Sequence, residues 1–242
     1  QRQMCIRDRV YPFATPNETD FKNLMDVVKN GETLKAGDRV YRAWMNKDIM
    51  LFIIGEKPME CGMNILGAHI DSPRIDIKQN PLYEDEHLAY LDTHYYGGIK
   101  KYQWVALPLA LHGVVVKKDG TTVTLNIGDK PGDPVFYISD LLIHLAADQM
   151  GKTAAKVIEG DSLNIIIGSE PKKDTDKDPV KNAILDILKE QYSIDEEDFI
   201  SAELEAVPAG HARDLGFDRS MIMGYGHDDR VCAYPSMAAV LN

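Results

Sequence analysis

The sequence is that of an acidic chain with an ordinary globular composition. It has 242 residues, of which 44% are hydrophobic and 27% are charged, enough for a sizeable core in one or two domains. The net charge of −11 argues against nucleic acid and anionic membranes as partners. No apolar run approaches the roughly 20 residues that a membrane-spanning helix needs. The three cysteines, Cys5, Cys61 and Cys232, have no CxxC spacing, so we expect no disulfide framework, no thiolate zinc site and a cytoplasmic location.

Both ends of the chain have features that are typical of a gene fragment. Residues 1–9 resemble the translation of a sequencing adapter, and we interpret them as an artefact; the alternative is a natural basic arm. Residues 236–241 are mostly helix formers and contain no stop signal. We therefore expect the last residues to begin a helix that continues in a longer protein.

Hydrophobic periodicity predicts an α/β fold with a β-rich middle. We predict a helix capped by Asn17 or Thr19 and ending at Asn30, and a helix over 140–150 capped by Ser139. An amphipathic helix is predicted over 179–192. Asp119-Gly120 predicts a hairpin between 113–117 and 121–127. The other predicted strands are 39–44, 49–54, 63–69 (buried), 136–138, 163–167 and 199–207.

The first candidate site is His69-Ile70-Asp71, at the end of the predicted buried strand. Alternate strand residues face one side, so His69 and Asp71 project together. Imidazole is a good zinc ligand, and a metal-bound histidine needs a carboxylate or carbonyl to fix its tautomer. Asp71 would serve this purpose or orient a catalytic group. The tripeptide alone also fits a strand-end histidine beside a turn.

The second candidate site is His227-Asp228-Asp229-Arg230, which follows a glycine-containing turn. Adjacent carboxylates repel each other unless a cation neutralises them, so the pair is suited to divalent metal. The alternative is an aspartate pair that caps a helix. His227 is a third ligand in one interpretation and an exposed histidine in the other.

Together the two motifs predict part of a two-metal hydrolase, in which paired ions activate water and polarise a scissile carbonyl. The chain has no GxSxG, GxxxxGK[ST] or HExxH motif, so nothing favours a serine nucleophile, a phosphate-binding loop or a single-zinc protease.

Four segments carry a resemblance to a known family: residues 67–83, 93–104, 108–113 and 226–234. They resemble the aspartyl-aminopeptidase family of dizinc metalloaminopeptidases, particularly its bacterial branch, and the likeness runs through 10–242 in the same order. The resemblance implies that His69 binds one zinc, that Asp228 bridges two zincs and that Asp71 is catalytic, orienting a glutamate base or its metal. Asp229 would then support the site without binding metal. The family commonly has Gln at position 227.

The resemblance also implies an architecture. A zinc-exopeptidase catalytic domain of the phosphorylase/hydrolase-like α/β class, incomplete here, would comprise 10–92 and 195–242. A β-rich α+β dimerisation domain would occupy 93–194. Members form homo-oligomers, dimers that often build dodecamers, and in some a histidine of the insertion reaches a neighbour's active site. His144 is the candidate for that histidine, and a packed or surface histidine is the alternative.

Three functions from different classes follow. The leading one is a metalloaminopeptidase that cuts the N-terminal residue, such as Asp or Glu, from peptides with two Zn²⁺; Co²⁺ and Mn²⁺ are alternatives. The family also needs a Glu-Glu pair, an Asp and a final His, which we expect beyond Asn242, so this chain alone would be inactive. The second is a non-catalytic self-assembling scaffold of the same fold. The third is a two-metal deacylase that acts on N-acylated substrates.

Overall fold

The computed structural model describes residues 26–29, 31–45 and 47–241. The predicted helix after Asn17 or Thr19 lies mostly outside these ranges, and its described residues 26–27 form a strand instead. The chain divides into two compact units, one of residues 1–72 and 211–242 and one of residues 73–210. None of the helices in the described ranges is long and apolar enough to cross a membrane.

The described ranges contain the following strands and helices. The strands are β1 (Asp26–Val27), β2 (Arg39–Trp44), β3 (Asp48–Ile53), β4 (Arg74–Asp85), β5 (Leu88–Tyr96), β6 (Pro108–Val116), β7 (Thr122–Ile127), β8 (Phe136–Tyr137), β9 (Ile165–Gly168), β10 (Ala202–Pro208), β11 (Arg213–Leu215) and β12 (Met221–Met223). The α-helices are α1 (Ala147–Met150), α2 (Pro179–Tyr192) and α3 (His227–Leu241). Short 3₁₀ turns lie at Met59–Cys61, Lys101–Gln103, Ile143–Leu145, Gly160–Ser162 and Glu196–Ser201.

The first unit is built on a three-stranded sheet and α3. β1 pairs in parallel with β2, and β2 pairs antiparallel with β3 with Tyr41 opposite Leu51. Tyr41 is 3% exposed and packs with Leu51, Met237 and Val240, among others. Met237 and Val240 of α3 are partly buried by this contact with the sheet. β11 and β12 form a separate hairpin.

Arg39 joins α3 to this sheet. Its Nη2 donates hydrogen bonds to the carbonyl oxygens of Val240 and Leu241, at 2.8 and 2.6 Å. Hydrogen bonds from a charged donor are stronger than those between neutral groups. The Arg39 guanidinium therefore holds α3 against β2.

The predicted buried strand over 63–69 is wrong. These residues form no strand, and Met63, Ile65 and Leu66 are 59%, 78% and 61% exposed. A strand requires a hydrogen-bonded neighbour, and no strand in the described ranges pairs with this segment. The apolar run was therefore interpreted incorrectly both as a strand and as buried.

The second unit is a closed antiparallel ring of six strands. The order is β10, β4, β5, β9, β8 and β6, and β6 pairs again with β10; β7 extends the sheet from β6. Gly113 permits the closing contact, since a Cβ at this residue would overlap the carbonyl group of Glu203 on β10. Its φ of +141° also favours glycine. The predicted hairpin is confirmed, with Val116 of β6 opposite Thr122 of β7.

Helix α2 is confirmed with the predicted bounds. Val180 is buried at 1% exposure and Ile184 lies against Gly168 of β9. Glu84 Oε2 accepts hydrogen bonds from the backbone N–H groups of Val180 and Lys181, at 2.8 and 3.0 Å. The helix therefore obtains its N-terminal acceptor from a distant strand.

The predicted helix over 140–150 is wrong over most of its length. Only α1 and the 3₁₀ turn Ile143–Leu145 are helical. Ser139 does not cap a helix; instead Asp140 Oδ1 accepts hydrogen bonds from the backbone N–H of Leu141 and from Gln149 Nε2. A side chain that satisfies the local backbone in this way competes with helix formation.

The compact units change at 72/73 and 210/211, whereas the sequence analysis placed the domain boundaries at 92/93 and 194/195. The physical reason is strand pairing. β4 pairs with β5 along most of its length, and β10 pairs with β6 over seven residues, so both strands belong to the ring. The dimerisation role assigned to the insertion stays a prediction.

Candidate functional site

The imidazole of His69 lies between two carboxylates in the first unit. Its Nδ1 is 2.9 Å from Asp71 Oδ1, and its Nε2 is 2.9 Å from Asp229 Oδ2. His69 and Asp71 lie in the segment between the turn Met59–Cys61 and β4, whereas Asp229 lies in the first turn of α3. The structure therefore brings both sequence motifs together in one cluster.

The backbone of α3 is irregular at the two aspartates. Asp228 (φ −84°, ψ 109°) and Asp229 (φ −112°, ψ 17°) have non-helical dihedral angles, although His227 and Arg230 on either side belong to the helix. The Asp228 carboxyl raises the pKa of Asp229, so the two carboxyl groups lie close enough to interact.

Ser72 holds this irregular turn in place, a contact that the sequence analysis missed. Its hydroxyl donates a hydrogen bond to the backbone carbonyl of Asp228 at 2.6 Å. Ser72 is 9% exposed, while its neighbour Asp71 is exposed. The sequence does show a serine directly after His-x-Asp, with a hydroxyl that can hydrogen-bond to the backbone. It does not show that the partner of this hydroxyl is a carbonyl 156 residues away.

The cluster carries an excess of negative charge. The hydrogen bond that His69 donates to Asp71 raises the pKa of His69 above its ordinary value, and the charges of Asp229, Asp71 and Asp228 act in the same direction. The hydrogen bond with Asp228 raises the pKa of Asp229, and burial and the negative charge of Asp228 add to it. His69 and Asp229 thus hold their protons more strongly than usual, and a divalent cation would compete for the same positions.

The donor atoms are of the kinds that bind zinc, but their positions match only part of a zinc site. Imidazole nitrogen and aspartate oxygen are both common zinc ligands. Two bonds of about 2.0–2.2 Å to a tetrahedral zinc hold their donor atoms roughly 3.3–3.5 Å apart, so the 2.9 Å between His69 Nε2 and Asp229 Oδ2 would have to widen slightly. Within the described ranges, no three His, Cys, Asp or Glu side chains are arranged to hold one metal ion. The residues therefore fit as a portion of a ligand set.

Two other histidines from the sequence analysis lie apart from this cluster. His227 is half-buried and makes no hydrogen bond or ion pair with any residue in the described ranges. His144 is in the 3₁₀ turn Ile143–Leu145 of the second unit and is exposed. The structure supplies no contact that assigns a role to either one.

Comparison with protein families gives one match over nearly the whole chain. Residues 15–242 match the family described as aminopeptidase I zinc metalloprotease (M18). A curated relative from Clostridium acetobutylicum, named probable M18 family aminopeptidase 1, is 61% identical over 98% of this chain and 50% of its own length. The relative of the same name from Thermotoga maritima is 49% identical over 84% of this chain and 44% of its own. The chain thus spans about half the length of the curated relatives it matches.

Solved structures give the same result for the fold. Aminopeptidase I from Clostridium acetobutylicum matches with a TM-score of 0.82 and 58% identity, covering 91% of this chain and 48% of that one. The M18 aminopeptidase from Thermotoga maritima matches with a TM-score of 0.80 and 47% identity, covering 86% and 45%. The S. cerevisiae mApe1 dodecamer, at 17% identity and a TM-score of 0.60 over 85% and 45%, shows the fold alone. The predicted family resemblance and mixed α/β fold class are confirmed.

Proposed function

Because the chain belongs to the M18 family of aminopeptidase I zinc metalloproteases, we propose that it is part of a two-zinc aminopeptidase that cuts single N-terminal residues from peptides. The observation that carries this proposal is the placement of His69 between Asp71 and Asp229, with Asp228 beside them. A paired zinc centre would supply an activated water and polarise the scissile carbonyl.

Each residue of the cluster has a separate task in this proposal. Asp71 would accept a hydrogen bond from His69 Nδ1–H and so direct His69 Nε2, which now contacts Asp229, toward one zinc. Asp228 would be the carboxylate shared by the two zincs, and the neighbouring Asp229 would support it. Asp71 would also orient the catalytic base of the complete site.

We assign the general base and the remaining metal ligands to the half of the full-length protein that this chain does not span. In the described part of this chain the adjacent glutamates are Glu196 and Glu197, which are exposed in the 3₁₀ turn of the second unit. Their turn is closed by a reciprocal capping interaction between Asp195 and Asp198. This local role gives them no part in the metal centre.

We further propose that the protein is a homo-oligomer whose basic unit is a dimer. Assembly of dimers into a dodecamer is the second step of this proposal. Support comes from an exposed apolar segment of the second unit: Leu141, Leu142, Ile143 and Leu145 are 55–70% exposed. Clustered exposed apolar side chains mark interaction surfaces. His144 lies inside this segment, so we assign it to the subunit interface, where it would reach a neighbouring site.

Zinc is the proposed metal, with cobalt and manganese as substitutes, because affinity alone does not separate these ions at nitrogen and oxygen ligands. A reducing cytoplasm suits the exposed, unpaired Cys61 and Cys232. The scaffold alternative is not favoured, since the relatives that share the fold are named aminopeptidases.

Substrate choice tests the proposal. The protein expressed from the uninterrupted gene should release the first residue from peptides with a free N-terminal Asp, Glu or Leu, and chelation should stop it. The matched N-acetylated peptides should remain intact, because the proposed reaction needs a free amino terminus. Cleavage of the acetylated peptides instead would support the deacylase and contradict the aminopeptidase.

A further inference from the structure

A hollow of about 350 Å³ in the second unit is lined by three lysines. Lys101 comes from the 3₁₀ turn Lys101–Gln103, whereas Lys152 and Lys156 come from the segment between α1 and the turn Gly160–Ser162. The remaining lining includes Ile158, Glu159 and Gly160. None of these residues belongs to the histidine–aspartate cluster, so the metal centre leaves this hollow without a function.

The hollow is positively charged in a chain that carries a net charge of −11. Its three ammonium groups face one carboxylate, that of Glu159, which lies 3.7 Å from Lys152 Nζ. Lys101 and Lys156 form no ion pair with any residue of the described ranges. Three like charges around one space repel each other until an anion enters it. The charge pattern therefore selects an anion, and the excess of two positive charges selects a dianion.

The ring of Tyr95 lies beside the hollow and contacts both segments that line it. Lys101 Nζ lies 5.6 Å from the centroid of the Tyr95 ring, within the range of a cation–π contact. Gly160 approaches the same ring closely, since a Cβ at this residue would lie 2.9 Å from Tyr95 Cε1. The ring therefore connects the turn that carries Lys101 with the segment that carries the other two lysines.

We propose that this lysine hollow binds a small dianion with a phosphate group. Ammonium groups are common phosphate ligands and donate hydrogen bonds to several oxygens at once. A volume of about 350 Å³ is in the lower range of ligand cavities, so it admits phosphate itself or a small phosphorylated molecule. The bound anion joins two segments that are about fifty residues apart in sequence, and so stabilises the second unit by mass action.

Isothermal titration of the chain with inorganic phosphate tests this site, with chloride at equal ionic strength as the reference. The variant Lys101→Gln/Lys152→Gln/Lys156→Gln should bind phosphate at least about tenfold more weakly, since it removes the ammonium donors. The control variant Lys130→Gln/Lys173→Gln/Lys177→Gln removes the same charge from exposed lysines outside the hollow, and should bind as the parent does.

The titration separates the possible outcomes. Tighter binding of glycerol phosphate than of inorganic phosphate would identify a phosphorylated small molecule as the ligand, and equal binding would identify free phosphate. Equal weakening in both variants would show a general charge effect and overturn the site, as would a parent chain that does not distinguish phosphate from chloride. This experiment measures binding and not catalysis. A failure to bind phosphate therefore does not contradict the aminopeptidase proposal, and a lack of aminopeptidase activity does not contradict the phosphate site.

Discussion

The hydroxyl of Ser72 donates a 2.6 Å hydrogen bond to the backbone carbonyl of Asp228, and this contact joins the two sequence motifs of the candidate site. Ser72 follows Asp71, which contacts His69, and Asp228 precedes Asp229, which contacts the other side of the same imidazole. The hydrogen bond therefore fixes the backbone of the aspartate turn relative to the histidine that faces it.

Removing this hydroxyl should weaken zinc binding without unfolding the chain. Groups that orient metal ligands typically contribute a factor of about 10–100 in metal affinity, so we expect Ser72→Ala to lower zinc affinity by roughly tenfold. Ser236→Ala is the matched control, because its hydroxyl bonds to the Cys232 carbonyl at 2.9 Å on an exposed face of α3. Competition with a zinc indicator measures both. Equal affinities for the two variants would remove Ser72 from the site.

Comparing the two adjacent aspartates distinguishes the bridging ligand. Asp228→Asn should reduce zinc affinity by at least about a hundredfold, as expected for loss of a ligand, and Asp229→Asn by about tenfold, as expected for a supporting group. The comparison is informative because Asp229, and not Asp228, is the aspartate that contacts His69 Nε2 in the structure. If the larger loss is measured for Asp229→Asn, the two roles must be exchanged.

Arg39 should contribute to the stability of the first unit by holding α3 against β2. Its guanidinium donates to the carbonyls of Val240 and Leu241 in a half-buried place. Charged hydrogen bonds contribute about 1.5–3 kcal/mol, so Arg39→Met should lower the melting temperature by roughly 5 °C. Arg213→Met, which alters an exposed arginine of the same unit, should have little effect in the same thermal scan. A change as small as that of the control would show that Arg39 does not fasten the helix.

Glu205 should make the second unit less stable as pH rises. Burial raises the pKa of Glu205 above its ordinary value of 4.5, and the positive charge of Arg74 opposes this only in part. Asp76 and Glu203 add negative charge that raises it further, and His112 opposes them. The folded state therefore binds this proton more tightly than the unfolded state, and the resulting stability is lost as pH rises from about 4.5 through the folded-state pKa.

The variant Glu205→Gln has no such proton to lose. The melting temperature of the parent chain should fall relative to that of Glu205→Gln as pH rises through this window. Glu170→Gln removes the same charge from an exposed position of the second unit that does not act on Glu205, and serves as control. A difference between the parent and Glu205→Gln that stays constant with pH would contradict the burial argument.

Local patterns were enough to predict several elements. The amphipathic spacing of 179–192 gave the bounds of α2, and Asp119-Gly120 gave the hairpin of β6 and β7. In both cases the information lies within about twenty residues, where periodicity and turn residues are decisive. The ring closes because β6 pairs with β10, which is distant in sequence. Hydrophobic periodicity carries no information about such a pairing.

The candidate site was predicted in part for the same reason. His69, Asp71, Asp228 and Asp229 carried the chemistry in their residue types, and the structure brings all four together. The sequence did not show that Asp229 would face the imidazole, because the non-helical turn of α3 decides this. Nor did it show that 63–69 is exposed, since burial depends on which strand lies alongside.

The central claim is that His69 binds metal in a two-zinc aminopeptidase. The most direct test measures zinc content and N-terminal hydrolysis together in the protein expressed from the uninterrupted gene, with His69→Ala beside His227→Ala. The account predicts that His69→Ala loses zinc and at least about a hundredfold in kcat/KM, while His227→Ala keeps both. Full zinc content and activity in His69→Ala would contradict the account.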